Sequence, residues 1–126
     1  MLNVVRVLLQ GIREFCVASV FTKIIRGELE SYKLYENEQV FALLTRDAIQ
    51  LGHSVIVPKL EVDKFYDLPN SYYESLFEVA RPLAKAIEIA TGCLRVGMAF
   101  VGLEVPHCHL HLLPLFSAEE IGIAHV

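Results

Sequence analysis

Five consecutive residues near the C-terminus, His107-Cys108-His109-Leu110-His111, restrict this chain more than any other segment. Side chains on a β-strand alternate between its two faces. On a strand this spacing puts His107, His109 and His111 on one face and Cys108, Leu110 and Leu112 on the other. The apolar face requires a core to lie against, so residues 107–113 are expected to be the last strand of a sheet that is covered on that side. The opposite face then presents three imidazoles held at fixed separations.

The remaining pattern supplies the rest of the sheet. Tyr32-Lys33-Leu34-Tyr35 and Val40-Phe41-Ala42-Leu43-Leu44 flank Glu36-Asn37-Glu38 and predict a β-hairpin. Ser54-Val55-Ile56-Val57 is β-branched and stopped by Pro58, as expected of an inner strand. Residues 95–101 predict a further strand, joined to the histidine strand by Gly102 to Pro106. A short helix is expected from Phe21 toward Glu28, ended by Gly27. Ser71 and Glu74 have capping-box spacing, and apolar residues from Tyr73 to Ile87 then recur at helical intervals until Gly92. Pro82 lies inside this long helix and predicts a kink or local break. The fold class is α+β: a mostly antiparallel sheet of about five strands, one long helix and one short N-terminal helix.

The 126 residues fit one domain, and 54% hydrophobic against 21% charged residues excludes a disordered chain. A net charge of −4 offers no basic surface for nucleic acid, so neither DNA nor RNA is an expected partner. Cys16, Cys93 and Cys108 are odd in number and share no framework spacing, which predicts free thiols and a cytoplasmic location. The apolar start of the chain is interrupted by Arg6 and again by Arg13-Glu14. That predicts neither an export signal nor a membrane span.

Imidazole serves as nucleophile, base or acid near neutral pH, and neighbouring rings disfavour one another's charged forms. Three histidines on one strand face therefore suit nucleophilic catalysis. They equally suit binding of a transition metal, and structural histidines bonded to backbone carbonyls are a third possibility. The spacing alone leaves these readings open.

Residues His107 to Leu113 also match the signature of the histidine triad (HIT) family, in which three histidines alternate with apolar residues. The resemblance extends to Phe21–Glu28, to Gly52-His53-Ser54-Val55-Ile56-Val57-Pro58-Lys59, to Asp67-Leu68-Pro69 and to the Gly102–Pro106 approach. It covers residues 19–116 in order, so residues 1–18 are read as an extension and 19–126 as the domain. The family implies an α+β homodimer that acts on the α-phosphorus of purine nucleotides or nucleotide conjugates, as hydrolase or transferase, through a nucleotidyl-histidine intermediate. It assigns the nucleophile to His109. His111 donates to phosphate or leaving group, His107 orients the cluster, and His53 is a fourth, supporting histidine. No cofactor is implied.

Three departures from the family pattern carry expectations of their own. The places where many members hold a structural zinc read Ser19, Thr22 and Glu61 here, leaving His107 alone, so no metal is expected. The usual ribose-binding acid or amide is replaced by Thr45. Near the phosphate, Leu103 replaces a glutamine and is followed by Glu104, which would repel an anion if it faced inward. These three positions make a nucleotide-binding regulatory protein with weak or no catalysis the alternative to an enzyme.

Overall fold

A computed structural model describes residues 18–121. Cys16 and residues 1–17 of the 1–18 extension lie outside the described residues. The element order is α1 (Val20–Ile25), β1 (Tyr32–Glu36), β2 (Val40–Leu44), β3 (Ser54–Pro58), a 3-10 turn (Phe65–Asp67), α2 (Asn70–Thr91), β4 (Arg95–Phe100), β5 (Leu110–Leu115) and a 3-10 turn (Ala118–Ile121). The five strands form one sheet in the order β1-β2-β3-β5-β4, and every neighbouring pair is antiparallel. The α+β architecture expected from the sequence is therefore the one observed.

Alternation along the central strands sorts the core onto two faces. Val40 and Ala42 of β2, Ile56 of β3, and Leu110 and Leu112 of β5 pack with Leu76, Val79, Ala80 and Ile87 of α2. Phe41, Leu43, Val55 and Val57 point the other way, against Phe21, Ile24 and Ile25 of α1. A central strand buried on both faces reads as a continuous apolar run, which is why β3 shows no polar alternation. The short helix thus covers the sheet face that the long helix leaves bare.

Two local expectations are corrected. Ser71 does not cap α2: the helix begins one residue earlier, at Asn70, with Pro69 at the cap position. The Pro69 carbonyl accepts from the N–H groups of both Tyr72 and Tyr73, and the fixed φ of proline sets the entry without a side-chain cap. Nor does Pro82 break the helix, which is continuous from Asn70 to Thr91. Pro82 is exposed, so the carbonyl it leaves without a helical donor lies on the solvent side. The helix ends as expected, on Gly92 at φ +70°, a conformation in which a side chain would be strained.

The histidine segment also differs in one detail. Regular pairing in β5 starts at Leu110, not His107, so only the third histidine lies within the ladder, where His111 stands opposite Val55 and Ala99. Ahead of it the chain is held by the Cys108 N–H donating to the Val62 carbonyl at 2.7 Å. The facial alternation survives this irregularity. Cys108 is buried in the α2-side core, and Phe21 of α1 lies 5.8 Å from the His107 ring and 4.8 Å from the His109 ring.

Candidate active site

The three triad histidines do different jobs, and their hydrogen bonds separate them. His107 is fully buried. Its Nε2–H donates to the Pro58 carbonyl at 2.8 Å, and its Nδ1 accepts from the Ser19 hydroxyl at 2.6 Å. Both ring nitrogens are used within the protein, which makes His107 a strut between β3, α1 and the segment entering β5.

His109 has one committed nitrogen. Its Nδ1–H donates to the His107 carbonyl at 2.8 Å, so the neutral ring keeps a lone pair on Nε2. This backbone bond fixes both tautomer and ring orientation. The ring is 4.7 Å from that of His111, centroid to centroid.

His111 and His53 form a directed chain. The Ile49 N–H donates to His53 Nδ1 at 3.2 Å, so neutral His53 carries its proton on Nε2. That proton is donated to His111 Nδ1 at 2.9 Å, leaving His111 with an N–H at Nε2. The pair therefore delivers a donor beside the His109 lone pair. His53 is placed by Gly52, whose φ of +92° and 2.7 Å approach of a hypothetical Cβ to the Thr91 side chain leave no room for another residue.

Burial pushes all three partnered histidines toward the neutral form. His111 is lowered to about 4, by burial first and then by the neighbouring rings of His109 and His53. His53 is lowered by burial and by His109. His107 is lowered by burial, against the raising effects of the Pro58 carbonyl and Glu61. An unfolded chain takes up these protons near the ordinary value of 6.5, whereas the folded chain resists them until lower pH. Stability is therefore full above 6.5 and falls as pH drops from there toward 4. Thermal melts are expected to show Tm already declining between pH 6.5 and 5, above the titration range of ordinary carboxylates; a constant Tm over that interval contradicts this assignment.

The four positions compared with the zinc site converge in space, but on one another. Thr22 donates from its hydroxyl to Glu61 at 2.7 Å, and the Ser19 N–H donates to the same oxygen at 2.7 Å. The Ser19 hydroxyl accepts from the Thr22 N–H at 3.0 Å while serving His107. Burial alone would raise the Glu61 carboxyl, yet the hydrogen bonds from Ser19 and Thr22 prevail and hold it below its usual range. Two hydroxyls, a carboxylate engaged by two donors and one imidazole do not fit a structural zinc. Among the described residues, no group of three or more His, Cys, Asp or Glu side chains is arranged to hold a metal ion.

His53, His109 and His111 line a cavity of about 330 Å³, a size that suits a small ligand. Its apolar wall comes from α1 and the segment after it, with Val20, Phe21, Ile24 and Leu29. Thr45 lies on another wall, together with Arg46, Asp47 and Ile49. Glu104 also lines this cavity, on the β4–β5 side, as an exposed residue. Leu103 does not: it is 90% exposed and lines an adjoining cleft, with Asp63, Lys64, Phe65 and Phe100, that shares His109 with this cavity. Asp47 and Arg46 were not singled out by sequence, since the resemblance led only to Thr45. Cys108 stays in the core, where burial pushes its thiol up to about 12, so it is packing and not a nucleophile.

The family model for the HIT domain matches residues 26–118. The chain belongs to the histidine triad family. It is 35% identical over 98 residues to the adenosine 5′-monophosphoramidase of Saccharomyces cerevisiae, covering 77% of this chain and 62% of that protein. It is 33% identical over 100 residues to an adenylylsulfatase of Arabidopsis thaliana, covering 75% of this chain and 51% of that protein. The chain thus spans about half to two thirds of the length of these two relatives. Among solved structures, a HIT family protein of Bacillus subtilis superposes with a TM-score of 0.76 at 26% identity, covering 84% of this chain and 78% of that one. No described helix of this HIT protein is long and apolar enough to cross a membrane.

Proposed function

We propose that this HIT protein is a hydrolase that cleaves nucleotide conjugates at the α-phosphorus, with His109 as the covalent nucleophile. The observation that carries the reading is the division of labour between neighbouring rings. His109 has its Nδ1 committed to a backbone carbonyl and its Nε2 lone pair free, beside a donor on His111. Relatives named adenosine 5′-monophosphoramidase and adenylylsulfatase support it.

In the proposed reaction the purine lies against Phe21, Ile24 and Leu29, and the sugar hydroxyls meet Thr45 and Asp47. The His109 Nε2 lone pair forms a bond to phosphorus as the bond from phosphorus to the leaving nitrogen breaks. His111 donates its Nε2–H to a phosphoryl oxygen and stabilises the charge that develops there. The departing nitrogen takes a proton from water and leaves as an amine. The hydroxide equivalent so formed then attacks phosphorus, and the P–Nε2 electron pair returns to His109. One water is consumed, and the products are a nucleoside monophosphate and an amine. His107 and His53 act as positioning residues, through the backbone carbonyl and the Nδ1 contact respectively.

The proposal includes a homodimer. Among the described residues no strand pairs with the outer edge of β4, which carries exposed Met98, flanked by exposed Leu94 and Val101. An uncovered apolar edge of this kind favours pairing with a second copy. The enzymatic reading is tested by following adenosine 5′-phosphoramidate with the wild-type protein by phosphorus NMR. Conversion to AMP is expected, and an unchanged substrate signal at stoichiometric protein overturns the reading.

A further inference from the structure

The charges around the triad are unusual for a site that receives a phosphate. Among the described residues, the cavity that contains His109 and His111 is lined by three acidic residues, Glu30, Asp47 and Glu104, and by a single arginine, Arg46. No lysine lines it. Arg46 is drawn toward the α1–β1 segment, where its Nη2 donates to the Glu30 carbonyl at 2.8 Å. His53 and His111 do not supply the missing positive charge, because burial disfavours their charged forms.

The carboxylates fall on different walls. Glu30 and Asp47 belong to the segments beside Leu29 and Thr45, where the nucleoside is placed by the reading above. Glu104 belongs to the β4–β5 connection, three residues before the triad, and shares its wall with Val105. With the nucleoside against α1 and the Thr45–Asp47 segment, the departing group is left the β4–β5 connection, which borders both this cavity and the adjoining cleft at His109, where Asp63 and Lys64 offset each other. Glu104 is exposed, and among the described residues it takes part in no salt bridge.

We propose that Glu104 is a specificity-determining residue that selects nucleotide conjugates whose leaving group carries a positive charge. The substrate class is a nucleoside phosphoramidate of an amine bearing a second, protonated amino group. In such a conjugate the ammonium offsets the phosphoryl charge and meets Glu104, so the acid that repels a bare anion favours this substrate. Polyphosphate leaving groups, which carry several negative charges, are disfavoured by the same residue. This inference rests on the hydrolase reading and adds the chemistry of the leaving group to it.

The test compares three AMP phosphoramidates of matched chain length, ending in an ammonium, a methyl ether or a carboxylate. For the wild-type protein at low ionic strength, kcat/KM is expected to fall in that order. Each unit of charge is worth about three- to fivefold, the scale of one exposed ion pair. The spread shrinks at 0.5 M salt, where screening removes interactions between exposed charges. Glu104→Gln compresses the ratio of cationic to anionic substrate by about tenfold, the two charge steps combined, and Glu104→Lys inverts it. An unchanged ratio in both variants, with turnover intact, overturns the proposal and leaves the hydrolase reading standing. Failure of all three conjugates to turn over, or turnover that survives His109→Ala, removes the hydrolase reading and this inference with it.

Discussion

His109→Ala is expected to lower turnover of adenosine 5′-phosphoramidate by at least about a thousandfold while leaving the protein folded. The ring sits in the cavity wall, contacts Phe21 and His111, and makes one hydrogen bond, to the His107 carbonyl. Removing it leaves that carbonyl a free lone pair beside a cavity open to water, a modest cost. The loss of rate has a different origin: no other group beside His111 offers an unprotonated nitrogen. His53 Nε2 carries a proton donated to His111, and both nitrogens of His107 are occupied. Circular dichroism and kcat/KM measured together check this. A variant that retains a tenth or more of wild-type activity contradicts the assignment of the nucleophile.

His107→Ala is expected to act on the fold. The residue is fully buried, and truncation leaves a cavity together with an unpaired Pro58 carbonyl and Ser19 hydroxyl. A buried cavity plus unsatisfied polar partners places the loss at about 2–4 kcal/mol. For a domain of this size that lowers Tm by roughly 10 °C. Activity falls as well, because the His107 carbonyl that orients His109 moves with its backbone. Conservative replacement separates the two roles: His107→Gln retains a donor and an acceptor and is expected to recover part of the stability. Calorimetry checks the pair, and a Tm within about 2 °C of wild type for His107→Ala contradicts the strut role, since it corresponds to well under 1 kcal/mol.

Much of this site was legible in the sequence because its central information is periodic. Alternation at residues 107–112 separates the histidines from Cys108, Leu110 and Leu112 on any extended backbone, even where regular pairing begins only at Leu110. The sheet, the helix termini at Gly27 and Gly92, and the position of His53 before β3 follow from equally local signals. The start of α2 did not, because Pro69 fixes the entry that Ser71 seemed placed to cap. That α2 runs through Pro82 without a break depends on which side of the helix meets solvent, which the local sequence does not state.

What sequence could not supply were contacts between distant segments. Ser19, Thr22, Glu61 and His107 lie on four separate stretches, and their residue types say only that they make a poor zinc site. Their mutual hydrogen bonding is a property of the fold. Thr45 and Asp47 are two residues apart and line one cavity, but only the backbone path after β2 brings both there. Glu104 and Leu103 are adjacent in sequence but line different hollows, one with His53, His109 and His111 and the other an adjoining cleft that shares only His109 of these.

The covalent role of His109 is most directly tested by the stereochemical course at phosphorus. A P-chiral adenosine 5′-thiophosphoramidate is hydrolysed in 18O-labelled water, and the configuration of the product is read by phosphorus NMR. Attack by His109 followed by attack of water comprises two in-line displacements, so the account predicts overall retention. Inversion, the signature of a single direct attack by water, would contradict it.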